Sequence, residues 1–192
     1  MERASRQMLR GAWTIALCIV TAILCRNIGR GMTWRALSLV RSMIYVGLLS
    51  YWGISVRRRV MQTQVRRLLT AIAVLMVFWM AERTVKFLFV TDVNAMRFLW
   101  YCYYLPMLLI PFLSVLIAAS LGKPENYRLP RWTKLLYLPV AALVLLVLTN
   151  DFHQLVFAFP ADAVVWTDGE YSYRAGYFVA AGCMGLCALT AV

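Results

Sequence analysis

Four charged side chains lie inside otherwise apolar stretches and are the first candidates for chemistry: Arg41, Glu82, Arg83 and Lys86. A charge in hydrocarbon costs about 2.5–3.5 kcal/mol on insertion scales, so each needs a partner. Glu82 and Lys86 are spaced i,i+4, an attractive arrangement on one helix. Similar depths in successive apolar stretches predict a contact between Arg41 and Glu82, with Arg83 and Lys86 reaching toward the headgroups. The alternative is that Glu82 pairs only within its own helix while Arg83 and Lys86 snorkel to the surface.

A second polar group, formed by Asn150, Asp151 and His153, interrupts the apolar string LTNDFHQLVFAFP. In one interpretation Thr149, Asn150 or Asp151 caps a short helix that lies in a membrane interface. The apolar side chains of that helix are Phe152, Leu155, Val156 and Phe159. In the other interpretation, the three polar residues sense a ligand, a metal ion or a proton. One histidine and one carboxylate are too few ligands to predict a metal site.

The sequence lacks the residue spacings of common catalytic sites. It contains no GxxxxGKS/T, GxGxxG, HExxH or GxSxG pattern, so neither phosphate binding nor nucleophilic catalysis is indicated. Its five cysteines form no CxxC pair, which leaves no signature of a zinc site or a disulfide framework. We therefore predict no catalytic residue, no metal and no cofactor, and the chain as it stands is not expected to be an enzyme.

The composition indicates where these residues are held. The chain has 192 residues, of which 62% are hydrophobic and 15% charged, and its mean hydropathy is +0.70. Soluble domains are about 45–50% apolar and about 25% charged, so this excess of hydrocarbon predicts a membrane protein of one domain. The net charge of +12 does not indicate nucleic acid, because the arginines cluster between apolar runs, where they orient a chain in a bilayer.

Apolar runs of about 20 residues are long enough to cross a bilayer as helices. Six candidate spans predict an all-α transmembrane bundle: 11–25, 36–56, 68–90, 98–121, 135–149 and 175–192. Pro106 and Pro111 fall within the fourth span and are expected to kink it, because proline removes a helical hydrogen bond.

The distribution of basic residues predicts the orientation. The N-terminal segment and the connections on its side carry twelve Arg and Lys residues, against five on the other side. We expect the protein in the plasma membrane, and the positive-inside rule then places its N-terminus in the cytoplasm. The connection 150–174 would face outward, in agreement with its four acidic residues, Asp151, Asp162, Asp168 and Glu170.

Two further features concern the last part of the chain. The segment VVWTDGEYSYR alternates around Asp168-Gly169, which is typical of a type I′ hairpin. We expect a small extracytoplasmic lid there, with Trp166, Tyr171 and Tyr173 over the mouth of the bundle. The last span ends in GCMGLCALTAV without a basic flank, which favours a chain truncated at its C-terminus.

Three strings in the second half of the sequence carry a family resemblance. They are RFLWYCYYLPMLLIPFLSVLIAASLGK, LLYLPVAALVLLVLTNDFHQLVFAFP and YSYRAGYF. Together with ERTVKFL they resemble the N-terminal multi-helix, seven-transmembrane-type sensor region of bacterial membrane histidine kinases, over roughly residues 83–180. The resemblance implies a signal-input module that responds to an extracytoplasmic or membrane-borne stimulus. It also implies a cytoplasmic kinase output domain in the parent protein, and it leaves a homodimer open.

We hypothesise that a stimulus changes the packing of the proline-containing helix and its charged neighbours, and that this change passes to whatever follows the last helix. Asn150, Asp151 and His153 are the candidate sensing residues. A small transporter or channel subunit, with Glu82, Arg83 and Lys86 along a solute path, is the alternative. A purely structural anchor without a ligand is a third reading.

Overall fold

The computed structural model describes residues 13–23, 33–159 and 171–191. Helices form most of this part of the chain, and a small antiparallel pair of strands precedes the last helix. The helices are α1 (Trp13–Ile23), α2 (Thr33–Arg59), α3 (Thr63–Leu88), α4 (Val93–Cys102), α5 (Tyr104–Ser120), α6 (Tyr137–Leu148), α7 (Asn150–His153) and α8 (Ala175–Thr190). The strands are β1 (Phe157–Ala158) and β2 (Ser172–Tyr173). The predicted all-α bundle with a small β element is confirmed.

Four helical segments of the described chain are long and apolar enough to cross a membrane. They are Arg35–Arg59, Thr63–Leu88, Val93–Ser120 and Arg131–Leu148. The fourth begins with a 3-10 helix, Arg131–Leu136, that leads into α6. Its 18 residues reach about 30 Å, at about 1.5 Å per residue in α6 and about 2.0 Å in the 3-10 helix. The predicted spans 11–25 and 175–192 correspond to α1 and α8, which are apolar but shorter. These helices make the chain a multi-pass membrane protein.

Helices α2 and α3 form a close pair joined by the short turn 60–62, and a connection this short makes them antiparallel neighbours. A Cβ atom at Gly53 of α2 would lie 2.8 Å from the Cβ of Ala73 on α3. Carbon atoms pack at about 3.5–4.0 Å. The two backbones therefore approach as closely as they do only because position 53 carries no side chain.

The third spanning segment is interrupted at Tyr103, where α4 ends and α5 begins. Pro106 has no N–H, so it cannot donate the helical hydrogen bond to the carbonyl of Cys102, four residues earlier. At the interruption the Tyr103 N–H donates to the Trp100 carbonyl, only three residues earlier, at 3.3 Å. Pro111, in contrast, lies inside α5, which continues through it.

Helix α5 is the centre of the bundle and packs against α3, α4, α6 and α8. Its buried face includes Leu108, Phe112, Leu113 and Leu116, which are at most 5% exposed. Buried residues of α3, α6 and α8 join them in one apolar core. Because lipid tails are as apolar as these side chains, the close packing of the side chains, and not their removal from water, holds the helices together.

The bundle has two distinguishable ends. At one, which we call the Gln62 end, the side-chain amide of Gln62 donates to the carbonyl of Ser120 (2.9 Å) and so fastens the start of α3 to the end of α5. At the other, which we call the Asp151 end, α3 ends, α4 begins and α6 ends. Asp92 caps α4 there, because its carboxylate accepts from the Ala95 N–H at 2.8 Å.

The connection after α6 differs from the interfacial helix that one interpretation of the sequence predicted. Helix α7 ends at His153, and Gln154 adopts a left-handed conformation with φ 49°. Phe152 is 91% exposed, whereas Val156 is fully buried. No side-chain hydrogen bond caps α7, because the Thr149 hydroxyl donates instead to the Leu145 carbonyl.

The strand pairing also differs in its partners from the predicted hairpin. Strand β2 pairs with β1, with Phe157 opposite Tyr173 and Ala158 opposite Ser172. The predicted Asp168-Gly169 turn, with Trp166, lies outside the described residues. The apolar segment before the turn therefore supplies the first strand.

Candidate functional site

Asn150 is the organising residue of the Asp151 end and is completely buried. Its side-chain oxygen accepts from the backbone N–H groups of Val156 and Phe157, each at 3.0 Å. Its amide nitrogen donates to the Phe157 carbonyl at 2.9 Å and to the Tyr101 hydroxyl at 3.3 Å. Asn150 thus imitates a strand partner for β1, and its polar atoms are already used within the protein.

Asp151 faces helix α4 and receives two groups from it. The Tyr101 hydroxyl donates to Asp151 Oδ1 at 2.6 Å, and Arg97 Nε lies 3.2 Å from the same oxygen. The Arg97 guanidinium also stands 5.4 Å from the centre of the Phe159 ring. An ionised acceptor makes such bonds short and strong. The carboxylate side chain is still 42% exposed, so a ligand can reach it.

His153 is held in one tautomer by its own segment. The Leu155 N–H donates to Nδ1 at 3.0 Å, so this nitrogen carries a lone pair. The other nitrogen, Nε2, lies 3.1 Å from the Thr149 hydroxyl, whose proton is directed to Leu145; Nε2–H is therefore the donor of that bond. Both nitrogens of the neutral ring are engaged, which leaves neither of them directed toward Asp151.

Aromatic rings surround Tyr101 and cover the polar side chains that it contacts, Asn150 and Asp151. The Phe157 ring lies 4.5 Å from Trp100 and 5.5 Å from Tyr171, measured between ring centres. Tyr173 in turn lies 4.0 Å from Tyr177 at the start of α8. The two distances from Phe157 lie in the range of favourable aromatic pairs, and Tyr173 and Tyr177 are closer still. The rings therefore join α4, both strands and α8 in one cluster, of which Tyr171 and Tyr173 were expected from the sequence.

Sequence reasoning did not select Arg97, Tyr101 or Phe157 for the site. Tyr101 lies in the run RFLWYCYYL, where an interfacial aromatic belt is the ordinary explanation of the rings. The available signal was Arg97, the one basic residue in the connection 91–97, which lies on the same predicted side as Asp151. An isolated cation near an acidic connection is a candidate partner for it.

The four intramembrane charges divide into two pairs on opposite faces of α3. Glu82 and Lys86 are 6% and 1% exposed and face α4, where Glu82 lies beside Cys102 and Lys86 Nζ is 5.6 Å from the Tyr103 ring centre. Neither carboxylate oxygen of Glu82 has a well-formed hydrogen bond among the described residues. The expectation that Lys86 reaches the headgroups is therefore wrong.

Arg41 and Arg83 instead line one cavity between α2 and α3. The Arg41 guanidinium donates to Ser38 Oγ at 3.5 Å. The expected contact of Arg41 with Glu82 is not formed, because Glu82 points to the other side of its helix. Successive residues of a helix are about 100° apart, so Arg83, and not Glu82, meets α2.

The described residues contain no group of three or more His, Cys, Asp or Glu side chains arranged to hold a metal ion. The arrangement at the Asp151 end is instead a hydrogen-bonded joint between helices, covered by aromatic rings. It binds protein segments to one another and presents one partly exposed carboxylate.

These features define a multi-pass membrane protein with a hydrogen-bonded polar joint at one end. A family model described as the N-terminal 7TM region of histidine kinase matches residues 37–192. This is most of the chain, and the chain belongs to that family. The match confirms the resemblance seen in the sequence and begins earlier than residue 83, so that it includes helix α2. No curated protein and no solved structure matches the chain.

Proposed function

We propose that the chain is the signal-input module of a bacterial sensor histidine kinase, with the N-terminus in the cytoplasm and the Asp151 end outside. Membership of the 7TM sensor family supports this assignment, and the twelve-to-five asymmetry of basic residues supports the orientation. In this proposal a cytoplasmic kinase output domain belongs to the parent protein. Its phosphoacceptor and nucleotide site supply the catalysis that this chain does not.

The observation that carries the proposal is the Tyr101–Asp151 hydrogen bond of 2.6 Å. It ties α4 to the segment that leads into β1. From there the Arg174 N–H donates to the Val156 carbonyl at 2.9 Å, immediately before α8. A change at Asp151 is thus transmitted through bonded segments to the start of the last helix.

The mechanism is a shift between two packings. A stimulus that binds one packing of the Asp151 end more tightly changes the population of the other. Helix α4 can move relative to α5 because the α-helix is interrupted at Tyr103, between the two. The start of α8 follows, since it is bonded to the same connection, and α8 carries the movement toward the cytoplasm.

A chimera tests this function. Residues 1–192 are joined to the cytoplasmic core of a histidine kinase, and phosphorylation of its response regulator is measured in membranes. We expect Tyr101→Phe and Asp151→Asn to change the basal output in the same direction. Phe152→Leu is the control, because Phe152 is 91% exposed. Unchanged output in both joint variants would oppose the assignment.

The orientation is tested separately with compartment-sensitive tags at Met1 and between Ala161 and Asp168. We expect the first tag to report the cytoplasm and the second the exterior. Detection of both tags in one compartment would overturn the proposed topology.

The transporter or channel alternative makes a different prediction about Glu82, Arg83 and Lys86. These residues would have to share one solute path, yet Lys86 is 1% exposed and Arg83 faces α2. Cysteine replacement with water-soluble thiol reagents distinguishes the two. Labelling of all three positions from both sides of the membrane would favour transport, and protection of position 86 favours the sensor.

A further inference from the structure

The cavity between α2 and α3 is an unusual place for two arginines. It has a volume of about 290 Å³ and lies near the end of α3. Its polar lining consists of Ser38, Arg41, Ser42, Tyr45, Arg83 and Thr84. Arg41 lies eight residues into α2, which is about 12 Å along its axis. The cavity therefore reaches below the level at which the helices end.

Among the described residues, no carboxylate balances the two charges of this cavity. No acidic side chain is found among the described residues of its lining. The nearest acid in sequence, Glu82, is buried on the opposite face of α3 beside Cys102. Arg41 is half-buried and Arg83 is exposed. Two like charges that line one cavity at membrane depth need a partner of opposite charge.

The remaining lining specifies the kind of partner. Hydroxyl groups of Ser42 and Tyr45 can donate beside the guanidinium forks, and such donors match the oxygens of an oxyanion. Met80, Phe87 and Leu88 supply an apolar wall. A phosphate oxyanion therefore meets charge and hydrogen-bond donors on one side, and an attached hydrocarbon chain meets apolar side chains on the other.

We propose that Arg41 and Arg83 form a phosphate-binding site between α2 and α3, within the membrane-spanning part of the bundle. An anionic phospholipid headgroup and a water-soluble phosphate share this chemistry. The site is separate from the Asp151 joint, and it does not depend on the proposed signalling function.

Two arms of one experiment distinguish the sources of the phosphate. In the first, the intact chain in micelles with equal amounts of phosphatidylglycerol and phosphatidylcholine is examined by native mass spectrometry. In the second, the chain in nanodiscs of phosphatidylcholine alone is titrated with inorganic phosphate by calorimetry. Both arms compare the wild type with Arg41→Gln and Arg83→Gln. The control is Arg35→Gln, because Arg35 is an exposed arginine of α2, the helix that carries Arg41.

We expect the wild type to retain phosphatidylglycerol in preference to phosphatidylcholine, or to bind inorganic phosphate. Loss of either guanidinium removes charge-assisted bonds and should weaken that binding about tenfold. Arg35→Gln should bind as the wild type does. Selective loss in the first arm identifies a lipid headgroup, and selective loss in the second identifies a soluble phosphate.

A cavity-filling variant guards against loss of the fold. Ser42→Leu keeps both arginines and occupies the cavity, and it should weaken binding while the helical circular dichroism is retained. Absence of lipid preference and of phosphate binding in the wild type would overturn the proposal. Equal weakening by Arg35→Gln, or unchanged binding in both cavity arginine variants, would overturn it as well.

Discussion

The hydroxyl of Tyr101 donates a 2.6 Å hydrogen bond to Asp151, fifty residues later in the chain. The bond joins the half-helix that precedes the break at Tyr103 to the segment that follows α6. Tyr101 is fully buried while Asp151 is partly exposed. One end of the bond is thus fixed in the core and the other is open to a ligand.

A double-mutant cycle measures this bond. Tyr101→Phe and Asp151→Asn should each lower the free energy of unfolding, with a coupling of about 1 kcal/mol, because Asn keeps a neutral acceptor but loses the charge that strengthens the bond. Unfolding by sodium dodecyl sulfate in mixed micelles provides the measurement. Tyr173→Phe is the control for Tyr101→Phe, because its hydroxyl contacts Tyr171; it should show no coupling to Asp151→Asn.

Replacement of Asn150 should lower the free energy of unfolding, because its side chain is the acceptor for two backbone N–H groups of the segment that follows α7. Asn150→Ala leaves the N–H groups of Val156 and Phe157 without their acceptor. Each buried unpaired group costs about 1–3 kcal/mol, so we expect a loss of at least about 2 kcal/mol in the same unfolding assay. Asn126→Ala, at an exposed position, should change the stability by less than about 0.5 kcal/mol. Equal effects of the two variants would contradict the structural role of Asn150.

Gly53 and Gly47 form a matched pair on α2. A Cβ at position 53 would lie 2.8 Å from the Cβ of Ala73, whereas one at position 47 meets nothing within 4 Å. Gly53→Ala should therefore destabilise the α2–α3 pair by about 1–3 kcal/mol, and Gly47→Ala should be neutral or stabilising by up to about 1 kcal/mol. Ala73→Gly should restore stability to Gly53→Ala. Thermal unfolding followed by circular dichroism tests all three variants, and failure of the rescue would show that this contact is not the cause.

Gly176 and Gly182 offer the same comparison on α8. A Cβ at position 176 would lie 2.9 Å from the Leu155 carbonyl oxygen, and one at position 182 meets nothing within 4 Å. Gly176→Ala should push α8 away from the connection after α7 and alter the output of the kinase chimera. Gly182→Ala should leave that output at the wild-type level. Identical output from the two variants would argue against transmission through this contact.

The lengths and order of the helices follow from the sequence, because a run of apolar residues bounded by basic ones has few other solutions in a bilayer. Which faces of the helices meet does not follow. Similar depth in the membrane predicted that Arg41 contacts Glu82. The side chains of Glu82 and Arg83 point about 100° apart around α3, however, and it is Arg83 that faces α2. In helices this uniformly apolar, no polar stripe reveals the rotation.

The connection after α6 shows the same limit at shorter range. Phe157 and Ala158 belong to an apolar segment whose spacing suits a helix in the interface as well as a strand. The strand is selected by Asn150, whose side chain satisfies the backbone of Val156 and Phe157. Local propensity contains no information about a side chain that acts as a strand partner six residues away.

The Gln62–Ser120 hydrogen bond described above fixes one end of the bundle. It holds α3 to α5 at the end opposite Asp151, so these helices cannot slide past one another without breaking it. A rearrangement that keeps this bond is a tilt of α3 and α5 about the Gln62 end. In such a tilt the Asp151 end travels farther than the Gln62 end, so a change of packing is largest beside the exposed carboxylate.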